Sequence, residues 1–280
     1  MRFLRTVTFL VVVAVVVGVG FAIWRGAGPL PNPEGCSATV AGHHVAVDTG
    51  QGEIASLIAA VGVRRGLPAR AVSIALATGF QESKLRNLPG GDRDSVGVFQ
   101  QRPSQGWGSR AQIRNPVYAI NAFYDALQKV HGYQTMQITV AAQRVQRSGY
   151  PDAYAEHAPD ARALASALTG YSPGGRFSCV VHDSQAHGTA VAVTDSITGA
   201  FGPIPTARGP RQDVTVAIPA GPAGRRTGWA VAQYVVAHAK RLHVQEISFD
   251  HRHWQIGRAS EKGWTRARAA VPTRVVVSLG

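Results

Sequence analysis

The chain has 280 residues, with 29 Lys and Arg against 16 Asp and Glu and a net charge of +13. This length suffices for one large or two modest domains. The composition, with 45% hydrophobic and 16% charged residues, excludes a disordered tail or a coiled coil as the main body of the protein. The excess of positive charge predicts an anionic partner, which could be nucleic acid, an acidic membrane surface or an acidic wall polymer.

An uncharged apolar run from Thr6 to Trp24 indicates which of these partners to expect. Its length matches a hydrocarbon core of about 30 Å, and Arg2 and Arg5 before it favour a cytoplasmic N-terminus. We therefore expect a transmembrane anchor over 1–25 and a single-pass cell-membrane protein whose bulk lies outside the cytoplasm. The alternative is a secretory signal that is cleaved, which would give a secreted protein. Under either interpretation nucleic acid is excluded as a partner.

The chain contains two cysteines, Cys36 and Cys179. In an oxidising compartment they would form one disulfide that ties the two ends of a domain together. The alternative is two unrelated buried thiols. Two cysteines do not make a zinc site by themselves, and no metal site is expected from them.

Helical patterns dominate the region after a Gly- and Pro-rich spacer at 26–49. Apolar residues recur there at intervals of three and four, and Asn115-Pro116 is a strong helix start. The predicted helices are Glu53–Val63, Ala71–Phe80 with an end near Glu82, one starting at Asn115, about Thr139–Ser148, and Pro151–Leu168. They predict an α-helical domain over 50–172.

Beyond a linker at 173–195, β-branched runs become frequent and predict a small α+β domain at 196–280. The predicted strands are Val191–Val193, Val214–Ile218, Val244–Phe249 and Val275–Ser278, and Gly228–Leu242 is a predicted helix.

The chemistry is expected where Glu82 ends an apolar helix and a Gly- and Gln-rich loop follows. The helix dipole and apolar surroundings both favour the neutral carboxyl, which can then protonate a leaving oxygen, as the general acid does in glycosidic cleavage. Gly97 permits close backbone approach, and Gln100 and Gln101 offer amides to sugar hydroxyl and N-acetyl groups. Trp107 can stack on a sugar ring. The alternative for Glu82 is a solvated surface charge at a helix end.

Glu82-Ser83, followed by Gly97-Val98-Phe99-Gln100, resembles the E-S and G-L-M-Q signature of soluble lytic transglycosylases and goose-type lysozymes. The resemblance covers about 50–167. It implies an α-helical lysozyme fold, a peptidoglycan substrate, Glu82 as the catalytic acid and Ser83 as a substrate-binding residue. It also implies a tyrosine opposite the acid, for which Tyr150 and Tyr154 are candidates, the alternative for both being helix packing.

Asp92 lies where goose-type enzymes carry an acidic residue proposed to position water, and the resemblance makes it the second catalytic candidate. Arg102 stands where a further Asp would be expected. Lytic transglycosylases need no second carboxylate, because the sugar's own 6-hydroxyl attacks and one Glu serves as acid and then as base. The resemblance therefore favours a transglycosylase over a hydrolase. Asp92 and Asp94 as loop-capping residues are the alternative.

The C-terminal part is similar to a module of exported actinobacterial proteins that is related to zinc D-Ala-D-Ala carboxypeptidases. Those enzymes hold zinc with His and Asp near the first strand and a His-x-His on the last. The segments 211–218 and 273–278 lack these histidines, so this domain is expected to bind no metal. His251 and His253 are the remaining possible ligands, without a third.

These expectations combine into one fold class and one function. The fold class is an N-terminal transmembrane helix, an α-helical lysozyme-like domain and a small α+β domain. The function is a membrane-anchored enzyme that cleaves the bond between N-acetylmuramic acid and N-acetylglucosamine through Glu82, without a cofactor. Its expected partners are peptidoglycan glycan strands and anionic wall polymers or a membrane surface. The alternative is a non-catalytic wall-binding or scaffolding protein with a decayed lysozyme-like domain.

Overall fold

The computed structural model describes residues 2–24, 31–148, 152–182, 186–209 and 213–279, and within the first range it describes side chains at 8–21. The chain divides into two compact units, Met1–Pro33 and Glu34–Gly280.

The first unit contains a single long helix, α1 (Arg2–Trp24). Within the described part of the chain, no helix combines the length and the apolar character needed to cross a membrane. This finding overturns the predicted transmembrane anchor and the single-pass membrane location. Secretion, the alternative, stays a prediction.

The described part of the second unit contains helices and strands, with strands before residue 48 and after residue 176 and helices between 49 and 168. Its helices are α2 (Thr49–Arg64), α3 (Ala69–Ser83), α4 (Arg110–Ile113), α5 (Pro116–Gln128), α6 (Ile138–Gln146), α7 (Ala158–Leu168), α8 (Ala190–Phe201), α9 (Pro222–Ala237) and α10 (Ala239–Leu242). Its strands are β1 (Gly35–Val40), β2 (His43–Val47), β3 (Phe177–Val180), β4 (Thr206–Arg208), β5 (Val214–Ala217), β6 (Glu246–Phe249), β7 (Arg252–Gln255), β8 (Thr265–Arg266) and β9 (Arg274–Ser278).

The strands form two antiparallel sheets, in the orders β2-β1-β3 and β4-β5-β9-β6-β7-β8. The predicted fold class, with its α-helical lysozyme-like domain, is therefore wrong, and the described chain is a mixed α/β structure. The error lies mainly in the segment 26–49, which was predicted as a spacer. Part of it forms the hairpin β1–β2, whose two-residue turn has positive φ angles at Ala41 (50°) and Gly42 (81°).

The predicted strand at Val191–Val193 is also wrong, because these residues lie in the first turn of α8. The Thr189 side chain accepts a hydrogen bond from the Ala192 amide at 3.2 Å and so caps this helix. The buried residues of α8 include Val193, Ile197 and Ala200, which follow the helical interval of three and four. That longer pattern outweighs the local preference of two valines for strands.

A buried glutamine on α9 connects the two halves of the second unit. The Gln233 amide donates to the Ala167 carbonyl at 2.7 Å, and its oxygen accepts from the Phe177 amide at 2.8 Å. Trp264, next to β8, donates its indole N–H to the Phe177 carbonyl at 3.0 Å and packs edge-on against Trp229 of α9. Residues of both predicted domains thus share one core.

The predicted disulfide between Cys36 and Cys179 is confirmed. The two residues lie directly opposite each other on β1 and β3, and both are buried. The bond joins positions 143 residues apart. A disulfide of this kind is typical of a protein that folds in an oxidising compartment.

Candidate functional site

The site begins at the C-terminal end of α3, one residue before the helix stops. The residues of α3 from Ala71 to Gly79 are all buried, and the helix ends because Lys84 and Leu85 adopt left-handed φ angles of 54° and 55°. Their amides return to the Phe80 and Gly79 carbonyls, both at 2.9 Å, and so close the helix end. Glu82 is therefore fixed where the chain reverses direction, near the negative end of the helix dipole.

The Glu82 carboxyl is half-buried and receives hydrogen bonds from two neutral groups. The Tyr154 hydroxyl donates to its Oε1 at 2.7 Å, and the Gln146 side-chain amide also bonds to the carboxyl. Burial raises the pKa of Glu82, and the two hydrogen bonds oppose that rise without cancelling it. The result is a carboxyl that holds its proton to higher pH than an exposed Glu does.

Replacing Tyr154 with Phe should raise the pKa of Glu82 further. The Tyr154 hydroxyl favours the carboxylate, so its loss leaves desolvation less opposed, while the buried ring keeps its packing. An NMR titration of the Glu82 side chain measures the shift directly. Tyr124→Phe is the matched control, because it removes a buried hydroxyl that bonds to the Ile58 carbonyl instead. A fall in the Glu82 pKa, or no change, would contradict the assigned hydrogen bond.

Ser83, predicted to bind substrate, is instead directed into the protein. Its buried hydroxyl donates to the Val98 carbonyl at 2.7 Å and to the Gly79 carbonyl at 3.1 Å, and it accepts from the Arg86 amide at 3.0 Å. Its proton, shared between the two carbonyls, and one of its lone pairs are therefore used on backbone groups. Ser83 ties the loop after α3 to the helix that carries Glu82.

Gly97 is required by the backbone of that loop. It has a φ of +80°, and a side chain there would place a Cβ 2.9 Å from the Ile113 carbonyl oxygen. Its amide donates to the Leu88 carbonyl at 2.9 Å. The close backbone approach predicted at Gly97 thus exists, but the group that approaches Gly97 is the Ile113 carbonyl of the protein itself.

The two glutamines also hold the loop together. The Gln100 amide donates to the Gly97 carbonyl at 3.1 Å, and its oxygen accepts from the Ser95 hydroxyl at 3.1 Å. Gln101 is buried and donates to the Ala119 carbonyl at 3.2 Å. The structure therefore places both amides in the support of the loop, where sequence reasoning expected contacts with sugar groups.

The two acidic residues of the loop differ in their surroundings. The Asp92 side chain is 93% exposed and lies 3.8 Å from the Arg93 guanidinium. Asp94 accepts hydrogen bonds from the Ser104 amide at 2.8 Å, from the Ser104 hydroxyl at 3.0 Å and from Arg102 Nε at 2.7 Å. These bonds, led by the one from the Ser104 amide, lower the pKa of Asp94. Arg102 is thus the partner of Asp94.

Trp107 lies in the wall of a groove with a volume of about 740 Å³. The Tyr118 hydroxyl donates to the Trp107 carbonyl at 3.3 Å and helps to hold this part of the chain. Gln146, which bonds to the Glu82 carboxyl, lies in the same wall. The groove therefore reaches the side chain that contacts the candidate acid, and its aromatic residue is the one that the sequence selects for stacking on sugars.

Of the two candidate tyrosines, Tyr154 contacts Glu82, whereas Tyr150 lies outside the described residues. Sequence reasoning missed Gln146 altogether. Its position in the last turn of α6 carries no motif, and its contact with Glu82 arises only because α6 packs on α3.

The C-terminal histidines do not come together as ligands. His251 lies in the turn before β7 with a φ of 61°, whereas His253 lies on β7 with Nε2 3.4 Å from the Glu246 carboxylate. Among the described residues, no group of three or more His, Cys, Asp or Glu is arranged to hold a metal ion. The absence of a metal in this domain stays a prediction.

These features define a half-buried carboxyl of raised pKa at the end of a helix, whose partner Gln146 also lines an open groove that contains an aromatic residue. Comparison with known families gives a match for another part of the chain: residues 181–271 are similar to the family described as VldE, C-terminal domain. The matched residues run from the end of β3 to the segment before β9 and do not include Glu82. No curated protein matches the chain.

Proposed function

We propose that the chain is an enzyme that cleaves the glycosidic bonds of peptidoglycan strands, with Glu82 as its single general acid and base. The observation that carries the proposal is the Glu82 carboxyl, whose raised pKa results from burial and whose orientation is fixed by Tyr154 at 2.7 Å. A general acid works best when its pKa approaches the working pH, and burial moves Glu82 in that direction. The motif resemblance around Glu82 and Gly97 supports the choice of substrate.

In the proposed reaction the protonated Glu82 gives its proton to the glycosidic oxygen as the bond from that oxygen to the anomeric carbon breaks. The resulting Glu82 carboxylate then takes the proton of the sugar's 6-hydroxyl while that oxygen bonds to the anomeric carbon. The product carries a 1,6-anhydro ring, no water is consumed, and Glu82 ends the cycle protonated. Tyr154 and Gln146 hold the carboxyl throughout.

The surroundings of the other loop carboxylates support a transglycosylase over a hydrolase. A hydrolase of the inverting type needs a second carboxylate that can accept a proton from water. Asp94 has little capacity for this, because both of its oxygens accept hydrogen bonds from Ser104 or Arg102 and its pKa is lowered. The Asp92 side chain is almost wholly exposed to solvent and lies nearest to the Arg93 guanidinium in its ion pair.

Digestion of purified sacculi with the purified full chain should therefore release fragments with 1,6-anhydro ends. Mass spectrometry distinguishes these ends from ordinary reducing ends by the mass of one water. Asp92→Asn is the accompanying variant and should keep the activity and the product. Reducing ends that disappear in Asp92→Asn would replace the transglycosylase by a hydrolase. Binding of strands without soluble products would favour the alternative function, a non-catalytic wall-binding protein.

A further inference from the structure

The groove lined by Trp107 and by Gln146, the partner of Glu82, has an uneven charge. Its lining contains Lys129, His131, Arg144 and Arg147, and it contains no Asp or Glu. Its apolar part consists of Trp107, Ala126, Val130 and Val145. The groove thus combines an aromatic and aliphatic surface, which suits the apolar face of a sugar, with a concentration of positive charge that a neutral sugar does not need.

These cations have no carboxylate partner within the described part of the chain. Some cations elsewhere do: the partly buried Arg65 pairs with Asp125, and the exposed Arg86 and Lys240 pair with Asp48 and Glu34. Lys129, Arg144 and Arg147 are exposed and form no ion pair there. Like charges held close together in a cleft repel each other and attract anions from solution.

Two of the cations, Arg144 and Arg147, lie on or directly after the helix that carries Gln146. Arg144 and Gln146 belong to α6, which ends at Gln146, and Arg147 follows with a left-handed φ of 52°. The Gln146 amide donates to the Phe99 carbonyl at 2.7 Å and also bonds to the Glu82 carboxyl. A ligand bound by Arg144 and Arg147 would therefore lie close to Gln146, the residue that contacts the Glu82 carboxyl.

We propose that this groove is a binding site for an anionic substituent of the glycan, a carboxylate or a phosphate carried by the sugar strand next to the bond that Glu82 cleaves. The inference rests on the proposed function for the identity of the strand. Arg144 and Arg147 would provide N–H donors of the kind that suits carboxylate and phosphate oxygens, and Lys129 would provide a further positive charge in the same groove. The indole ring of Trp107 would stack on the apolar face of the sugar ring to which the substituent is attached.

Binding of three soluble probes to the full chain tests the site. The probes are glycan strands that keep their lactyl and peptide carboxylates, neutral oligomers of N-acetylglucosamine of similar length, and a polyglycerol phosphate chain. Titration calorimetry with the Glu82→Gln chain measures binding without turnover. The carboxylate strands should bind at least tenfold more tightly than the neutral oligomers at low salt, and the difference should shrink at 1 M salt. Tighter binding of the polyglycerol phosphate than of the glycan strands would overturn the assignment to a glycan substituent and favour a separate phosphate polymer as the ligand.

The double substitution Lys129→Gln and Arg144→Gln should weaken binding of the preferred anionic probe about tenfold and change that of the neutral oligomers less than twofold. Arg258→Gln and Arg268→Gln together are the matched control, because both cations are exposed outside the groove. Equal affinity for charged and neutral probes, or equal loss in the groove and control variants, would overturn the inference. If the parent chain binds anionic strands through the groove but releases no products, the anion site stands and the cleavage proposal fails.

Discussion

Replacing Glu82 with Gln should lower kcat/KM for glycan strands on the order of 10³-fold or more, because the amide cannot transfer a proton to the leaving oxygen. The loss should appear in kcat, with binding of the strands nearly unchanged. Gln has the size of Glu, and its side-chain oxygen can still accept the hydrogen bond from Tyr154. The catalytic loss should therefore occur without a change of structure.

The same substitution should leave the folded state at least as stable at neutral pH. The folded-state pKa of Glu82 lies above its unfolded value, so its ionisation costs stability as the pH rises through the folded pKa. A neutral Gln removes that cost. Increased stability together with lost activity is the pattern expected of a residue kept for chemistry.

Rates of product release from sacculi, and thermal unfolding at pH 5 and pH 8, measure both effects. Glu156→Gln is the matched control: it removes an exposed carboxylate a short distance along the chain from Tyr154 and should change neither quantity. Activity of Glu82→Gln within tenfold of the parent would remove Glu82 from the mechanism. A variant that is inactive and unfolded would leave the Tyr154→Phe titration as the test of the site.

The position of Glu82 could be predicted because it depends on local physics. An apolar run that ends in a polar loop predicts where α3 stops, and the Asn115-Pro116 pair marks the start of α5 in the same way. In the structure the Asn115 side chain accepts from the Val117 amide at 3.0 Å, as an N-cap does. Signals of this kind need only a few neighbouring residues.

The roles of the loop residues could not be predicted in that way. Ser83, Gly97 and Gln101 have the residue types that bind sugars, but the same groups also satisfy buried backbone, and only the folded chain decides between the two. Gln146 shows the opposite case. Its residue type is unremarkable, and its contact with Glu82 depends on how α6 packs on α3.

The two-sheet architecture escaped prediction because it is made by distant pairings. β1 and β2 are short and follow a Gly- and Pro-rich stretch, and β1 pairs with β3 far along the chain, where Cys36 faces Cys179. In β1 the buried residues Cys36 and Ala38 alternate with less buried neighbours, but this alternating pattern is only a few residues long. Sequence patterns that short do not separate a strand from a spacer.

Removing the disulfide should cause a large loss of stability. The bond closes a loop between positions 143 residues apart, and the loss of unfolded-state entropy on closing a loop of this size stabilises the fold by about 4–5 kcal/mol. For a chain of this length, that should lower the melting temperature by about 10 °C or more.

The double substitution Cys36→Ala and Cys179→Ala is the suitable variant, because both sulfurs are buried and a Ser hydroxyl would lack partners there. A Cβ at Gly52 of α2 would lie 2.7 Å from the Cys36 sulfur, so this helix packs directly on the bridge and the smaller Ala side chains will also leave space behind. Chemical unfolding of the parent with and without a reducing agent gives the same comparison without mutation.

The double variant itself is the control for the reducing agent, since its unfolding should be identical under both conditions. If the bridge accounts for the difference, the reduced parent and the double variant should unfold at similar denaturant concentrations, both well below the oxidised parent. Titration of the unfolded, unreduced parent with a thiol reagent should find no free thiol. Two free thiols, or a melting temperature that the reducing agent does not lower, would show that strands β1 and β3 are held by their hydrogen bonds and by the packing of α2 alone.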